Sequence, residues 1–384
     1  MKLSDFDYEL PKELIAQHAL PKRSDARLLV LSREEGTIEH KTFRDIVDYF
    51  KKGDVLVLND TKVFPARIFG KRKTGGKVEI LILESCHPER SEGSDLSFPH
   101  AFSGNPKSGS PIKTFGDDKE ALLRNNVWQV LVKPSRRVRK DEQLTLNGDA
   151  KLTLRVLDDP DYETGIRHVQ FETDSDIQTI LEKYGRIPLP PYIDREDTPV
   201  DRELYQTVFA RRPGAVASPT AGLHFDQALL DRLRAKGVEI LFVTLHVSYG
   251  TFQPVVSDDL TQHKMYEEYF EIPDEVAEPI NFAKADGRSI TACGTTVVRT
   301  LESAATDSLP SEVEAKQGTT QLFIYPPYEF KIADRMITNF HLPRTTLLML
   351  TSAFAGHDFL MRAYREAIEN RYRFYSYGDA MLIV

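Results

Sequence analysis

Between residues 215 and 356 the chain repeats one layout three times: an apolar run, a loop of small and hydroxyl residues, then a helical pattern. AVASPTAGLHF leads into DQALLDRLRAK, ITACGTT into VVRTLES, and MITNFHLPRTT into LLMLTSAFAG. Between the first two lies VEILFVTLHV, a long apolar run ending in Ser248-Tyr249-Gly250-Thr251. Strands that alternate with helices restrict this half to a largely parallel sheet. Ligands of such sheets bind at the carboxyl ends of the strands. The small polar loops stand at those ends.

The rest of the 384 residues has two textures, and the length suggests two domains. ARLLVLS (26–32) and DVLVLN (54–59) read as strands. TFRDIVDYFK between them reads as a helix, with Phe43, Ile46, Val47 and Phe50 on one face. From about residue 62 come short β-like runs: FPARIFG, KVEILILE, VWQVLVK, KLTLRVL and HVQFE. Leu152, Leu154 and Val156 alternate as in a half-buried strand, and the series suggests a small barrel or sandwich. Residues 85–126 are rich in Ser, Gly and Pro and read as a disordered loop between two of these strands. Helix-like DIQTILEKYG and the Pro-rich connector RIPLPPYIDR then lead back to the α/β texture.

Lys and Arg total 50 against 58 Asp and Glu, a net charge of −8. The chain is therefore no general polyanion binder, and any nucleic-acid contact must come from a local patch. KPSRRVRK (133–140) is the one basic run that stands out; Lys133, Arg136, Arg137 and Arg139 are its phosphate-contact candidates, with a solvated turn as the alternative. Only Cys86 and Cys293 are present, so neither a disulfide framework nor a cysteine zinc site is expected, and a reducing cytoplasm fits. MKLSDFDYEL does not read as a signal peptide, and no apolar run approaches the ~20 residues of a membrane span. Neither GxGxxG nor GxxxxGK[ST] occurs in a supporting context.

The loops carry the candidate chemistry. After Gly294, residues Val297, Val298, Leu301, Ala304 and Ala305 form one apolar helix face, with Thr295, Arg299 and Glu302 opposite. Thr295 or Thr296 suits the cap, and Gly294 allows close backbone approach. A capped helix with an Arg299–Glu302 surface pair is the plain alternative. In SPTAGLHF, Asp226 supplies the next helix cap, which leaves Ser218, Thr220 and His224 over. His224, His246 and His341 fall at three apparent strand ends and are expected to cluster on one rim as a site, a metal site being disfavoured; His224 is either an acid/base group or a satisfied buried imidazole. The end, YRFYSYGDAMLIV, places Tyr375, Tyr377, Gly378 and Asp379 in a non-periodic segment whose aromatics suit a planar or positively charged ligand.

Taken together these segments resemble the S-adenosylmethionine:tRNA ribosyltransferase-isomerases of queuosine biosynthesis. The resemblance runs from DYELPKELIAQ through LVLNDTKVFPARIFG, TGGKVEILIL and IPLPPYIDR, and is densest in ASPTAGLHF, GTFQPV, CGTTVVRTLESA, TNFHLPRTTLLMLTSAFAG and RYRFYSYGDAML. It implies an α/β (multidomain) fold: a large mixed α/β domain, 1–61 with 173–384, and an inserted small β-barrel-type domain, 62–172. It implies transfer of the ribosyl part of S-adenosylmethionine to 7-aminomethyl-7-deazaguanine at the wobble position of tRNAs with GUN anticodons. Epoxyqueuosine would form, with adenine and methionine released. The co-substrate is S-adenosylmethionine, no further cofactor or metal is required, and a cytoplasmic monomer without a stable protein partner is expected.

With that chemistry in view, Thr220, Ala221, Gly222, Gly294, Thr295 and Thr296 are expected to hold the adenosine. His224, His246, Glu302 and Asp379 are the acid/base candidates. Arg299 would pair with the methionine carboxylate or position Glu302, and Tyr377 and Phe252 would face the sulfonium. The chain departs from the family at HVSYGTF, where HVGxGTF is usual, at Met265-Tyr266-Glu267-Glu268 in place of MHSE, and at Tyr325-Pro326-Pro327-Tyr328 in place of YPGY. A catalytically silent tRNA-binding protein on the same fold is the alternative. A nucleoside hydrolase or a methyltransferase using the same pocket is a third reading.

Overall fold

The computed structural model describes residues 1–85, 127–147, 149, 152–162, 164–173, 177–248, 250, 255 and 258–384. The expected loop at 85–126, apart from Ser85, lies outside these residues, as do Phe252 and Tyr249. Two compact units result: 1–62 with 189–384, and 63–188.

The first unit is built on a nine-stranded sheet. Its order is Lys316–Thr320, Glu268–Ile272, Glu239–Leu245, Val55–Asn59, Ile290–Cys293, Arg335–Asn339, Ala380–Ile383, Arg27–Ser32 and Thr37–Thr42. The four strands from Glu239–Leu245 to Arg335–Asn339 run parallel. The flanking pairings are antiparallel except for Ala380–Ile383 beside Arg27–Ser32. Both faces are covered, which is why the central strands read as continuous apolar runs. On one face Leu29, Val55, Val57, Val243, Ala292 and Met336 pack with Ile280, Val297, Leu301, Leu348 and Tyr364 of the surrounding helices. On the other, Leu28, Leu56, Leu58, Cys293 and Ile337 pack with Phe43, Phe225, Leu229 and Leu233.

Two local expectations change. Residues Phe43–Tyr49 form a 3-10 helix, its start closed by Asp45 Oδ2 accepting from the Thr42 amide at 3.0 Å. The strand of the first repeat, Arg212–Ala215, is not part of the nine-stranded sheet. It contains Pro213, which lacks a ladder donor, and Gly214 at φ +151°, so it is poorly suited to a central position.

The second unit is a closed barrel in the order Arg167–Glu172, Val127–Lys133, Lys77–Ser85, Arg67–Arg72, Gln143–Leu146 and Thr153–Val156. Alternate residues fill it: Ile80 and Ile82, Val130 and Val132, Leu144 and Leu146, Leu154 and Val156, Val169 and Phe171 are all buried. The unit ends later than the expected 172. The helix Ile177–Tyr184 buries Ile177, Ile180 and Leu181, and Arg186 then exchanges two backbone bonds with Arg67 of a barrel strand. The basic run follows the strand Val127–Lys133 directly. Lys133, Arg136, Arg137 and Arg139 are all exposed. Beneath them the fully buried Arg167 donates to the carbonyls of Val138 (3.0 Å) and Ser135 (3.1 Å), fixing the loop from inside the barrel.

Candidate active site

A cavity of about 370 Å³ lies in the first unit at the carboxyl ends of the parallel strands. Its centre is the end of Ile290–Cys293. Gly294 adopts φ +96°, ψ 152°, a region that essentially only glycine visits. Among the described residues no side chain caps the start of the helix Thr295–Ser303, so the hydroxyl cap expected from Thr295 or Thr296 is not made. Its first amide donors and its positive dipole end are available to a ligand acceptor. Thr295 and Thr296 border the cavity, as do Thr220 and Ala221.

Two asparagines hold these threonines in place. Asn59 ends Val55–Asn59 and donates to Thr296 Oγ1 at 3.2 Å and to the Leu245 carbonyl at 3.0 Å. Asn339 ends Arg335–Asn339. Its Oδ1 accepts from Thr220 Oγ1 at 3.2 Å, and its Nδ2 donates to the Tyr375 carbonyl at 3.0 Å and to His224 Nε2 at 3.1 Å. Sequence reasoning missed both. The available signal was an amide at the end of an otherwise apolar run, in LVLN and MITN.

The helix Thr295–Ser303 has no solvent face: Thr295, Val297, Val298, Arg299, Leu301 and Glu302 are all buried. The surface pair of Arg299 with Glu302 is therefore not formed. Arg299 instead pairs through Nη1 with the buried Glu268, and its Nε donates to the Leu322 carbonyl at 3.0 Å. Its Nη2 makes no hydrogen bond among the described residues, and both Arg299 and Glu268 border the cavity. Ser218 Oγ, Tyr205 Oη and Tyr375 Oη are likewise unpartnered among the described residues, on cavity side chains more than nine-tenths buried. Buried polar atoms without partners are costly, and four of them belong to residues that border the cavity, a set that ligand atoms would complete.

An aromatic surface forms another part of the wall. Tyr192 and Tyr375 lie 4.1 Å apart between ring centroids. The Tyr375 amide bonds to the Phe340 carbonyl at 3.2 Å, and Phe340, His341 and Leu342 continue the lining. Tyr375 is held at φ +74°, a strained conformation for a tyrosine.

The four acid/base candidates do not border this cavity. Glu302 accepts from the backbone amides of Lys331 (2.9 Å), Ile332 (3.1 Å) and Ala333 (3.4 Å), and from Tyr328 Oη (3.4 Å), so its lone pairs anchor a loop. Asp379 accepts from the amides of Arg27 (3.0 Å) and Arg373 (2.8 Å) and from the Arg27 guanidinium, tying the C-terminal turn to Arg27–Ser32. His246 bonds to Thr61 Oγ1 at 2.7 Å, and its ring lies against Gly214, where a Cβ would stand 2.6 Å from it. His224 reaches the cavity only through Asn339 and Thr220.

The expected rim of three histidines is not assembled. His246 and His341 follow strands three spacings apart, roughly 14 Å. His224 follows the strand that left the sheet. Burial pushes the His224 imidazole down to about 3, with Arg373 and Arg23 adding to the effect. Burial also lowers His246 to about 4, with Arg212 contributing, and His341 to about 3. All three are neutral near pH 7. Among the described residues, no group of three or more His, Cys, Asp or Glu is placed to hold a metal ion.

Two binding candidates also sit elsewhere. A Cβ on Gly222 would stand 2.8 Å from the Phe209 ring, so this glycine serves close packing and does not line the cavity. Tyr377 donates to Asp201 Oδ1 at 2.9 Å and lines a small separate pocket beside His224, leaving Tyr375 and Tyr192 as the cavity's tyrosines together with Tyr205.

A family model described as queuosine biosynthesis protein matches residues 3–383. Over the full length of both chains, the sequence is 48% identical to the S-adenosylmethionine:tRNA ribosyltransferase-isomerase of Sulfurihydrogenibium sp. and 46% identical to that of Halothermothrix orenii. The crystal structure of S-adenosylmethionine tRNA ribosyltransferase from Thermotoga maritima is similar at 36% identity and a TM-score of 0.51, covering 99% of this chain and 100% of that one.

Proposed function

The chain belongs to the queuosine biosynthesis family of S-adenosylmethionine:tRNA ribosyltransferase-isomerases, and from that premise we propose the reaction and the roles of the cavity residues. S-Adenosylmethionine occupies the cavity as co-substrate, with no further cofactor. Its ribosyl part passes to 7-aminomethyl-7-deazaguanine at the wobble position of a GUN-anticodon tRNA. Epoxyqueuosine-tRNA, adenine and methionine are the products. The sulfonium acidifies the adjacent 5′ protons, so loss of one such proton to a base starts the sequence.

The observation that carries this reading is the set of unpartnered polar atoms beside an uncapped helix start. Arg299 Nη2, a guanidinium donor already oriented by Glu268, suits the methionine carboxylate. Thr220, Thr295 and Thr296, with the free amides after Gly294, suit the ribose hydroxyls. The rings of Tyr192, Tyr375 and Phe340 suit a planar purine. Lys133, Arg136, Arg137 and Arg139 contact tRNA phosphates.

The test is to incubate the chain with S-adenosylmethionine and a GUN tRNA carrying the aminomethyl base. Adenine release and the mass of the wobble nucleoside are then followed. Adenine together with an epoxycyclopentyl mass gain supports the reading. Adenine alone indicates a hydrolase, and tRNA binding without adenine release indicates the silent binder.

A further inference from the structure

We propose that His341 is a catalytic residue of this site: a neutral imidazole that donates a hydrogen bond from Nδ1 to a ring nitrogen of the departing adenine. The proposal rests on the reading above, that S-adenosylmethionine fills the cavity.

Hydrogen-bond accounting sets the tautomer. Thr338 is 1% exposed, and its hydroxyl has a single partner among the described residues, His341 Nε2 at 2.8 Å. A buried hydroxyl proton needs an acceptor, and Nε2 is the acceptor it has. With Nε2 as that acceptor, the neutral ring carries its hydrogen on Nδ1. The ring is also fixed through its backbone: the His341 amide donates to Tyr364 Oη at 2.9 Å and its carbonyl accepts from Tyr8 Oη. Nδ1 makes no hydrogen bond among the described residues, and His341 borders the cavity. A donor of fixed direction therefore faces ligand space.

The neighbours select the ligand atom. Phe340 and Leu342 adjoin His341 in the chain, the Tyr375 amide bonds to the Phe340 carbonyl, and Tyr192 lies 4.1 Å from Tyr375 between ring centroids, so apolar and aromatic surface lies beside His341. The charged pair Glu268–Arg299 belongs with the Thr295–Ser303 helix instead. A purine fits the aromatic part, and its N3 and N7 are acceptors. Burial keeps the imidazole neutral, so it acts as a hydrogen-bond donor and does not give up a proton. When the bond from the ribose carbon to N9 breaks, its electron pair stays with adenine. The negative charge spreads to N3 and N7, where a fixed donor stabilises it more than in the bound substrate. Water supplies the proton that neutralises adenine on release, and His341 ends the step unchanged.

The experiment pairs enzyme variants with substrate variants. Adenine (or deazaadenine) release is measured with S-adenosylmethionine and with its 3-deaza and 7-deaza analogues, each with substrate tRNA. His341→Phe is expected to lower kcat about 100-fold with S-adenosylmethionine. His341→Asn, whose amide nitrogen overlays Nδ1, is expected to retain most of the rate. One analogue should slow the wild-type chain to a similar degree, and with that analogue His341→Phe should add no further loss. Thr338→Val, nearly isosteric, should lower kcat about tenfold, because the tautomer is no longer selected, and with the analogue that abolishes the His341→Phe effect it should add no further loss. If His341→Phe slows all three substrates by the same factor relative to wild type, the proposal falls while the parent reading stands. If the wild-type chain releases no adenine at all, the parent reading falls and takes this one with it.

Discussion

Asn59 and Asn339 end the two strands that flank Ile290–Cys293, and each holds one threonine of the cavity, Thr296 and Thr220 respectively. The cavity floor is thus a strand end ending in Gly294, braced on both sides by an amide. An amide donates and accepts at once through two separate atoms, with two donor hydrogens on one of them. Asn339 uses both functions, on Thr220, His224 and the Tyr375 carbonyl.

Replacing Asn339 with Leu preserves volume and removes all three bonds. The Thr220 hydroxyl, His224 Nε2 and the Tyr375 carbonyl are left without their partner. Each lost bond costs about 1 kcal/mol or more when the remaining group is buried, so a loss of roughly 2–4 kcal/mol is expected from urea unfolding. KM for S-adenosylmethionine should rise as Thr220 and Tyr375 lose their positions. A stability change below about 0.5 kcal/mol would show that the amide does not brace the site.

Gly294→Ala tests the backbone. A Cβ would sit 3.5 Å from Thr296 Oγ1 and 3.6 Å from Ala221 Cβ, which is ordinary contact. The cost is therefore conformational: φ +96° with ψ 152° is strained for alanine by about 1–3 kcal/mol. The loss should appear in the unfolding free energy. A variant as stable as wild type would mean that this turn relaxes without strain.

The buried histidines give the protein a defined response to acid. His246 has its folded value lowered by burial to about 4, against 6.5 unfolded. Between those values the unfolded chain binds more protons, so stability rises with pH. The contribution of His246 is complete above its unfolded value and is lost as pH falls toward its folded one. His246→Phe keeps the contact with Tyr269 and removes this titration. The difference in unfolding free energy between pH 7.5 and pH 5 should shrink by about 2 kcal/mol relative to wild type. An unchanged difference would show that His246 titrates in the folded protein as it does in the unfolded chain.

The sheet was legible in the sequence because both of its faces are buried, so its central strands are apolar runs too long and too plain to mistake. The barrel was legible because its inward positions alternate, as Leu152, Leu154 and Val156 do. The cavity lining was legible at Gly294-Thr295-Thr296 and Thr220, where hydroxyls follow a strand without a packing reason. Glu302, Asp379 and Tyr377 do not border that cavity. A charge or hydroxyl that anchors a loop and one that meets a substrate look alike until their partners are seen. Arg299 also depended on its partner: its carboxylate is Glu268, 31 positions earlier in the chain, not the helical neighbour at Glu302.

The basic loop gives a prediction on tRNA. Arg136, Arg137 and Arg139 are exposed, and the buried Arg167 holds the loop that carries them. Changing the three to Gln should weaken tRNA binding and reduce the slope of log affinity against log salt by about 2. Arg167→Met should weaken binding with a smaller change in slope, because the surface charges remain. A triple variant with the wild-type slope would remove the loop from the tRNA interface.

The strands Lys77–Ser85 and Val127–Lys133 pair antiparallel, and their register continues to Ser85 opposite Trp128. Directly opposed antiparallel residues lie about 4.5–5.5 Å apart, a span that a short Asn-Gly turn bridges. Residues 86–126 are therefore not needed to close the barrel. Replacing them with such a turn should leave the folded fraction and the turnover of S-adenosylmethionine with tRNA within a few-fold of wild type. Shortening the closure should also raise the unfolding free energy by a small amount, since loop entropy grows slowly with length. A shortened chain that folds normally but loses tRNA-dependent turnover would overturn the prediction and assign the insertion a role in engaging tRNA. A chain that no longer folds would show instead that the barrel depends on contacts from the removed segment.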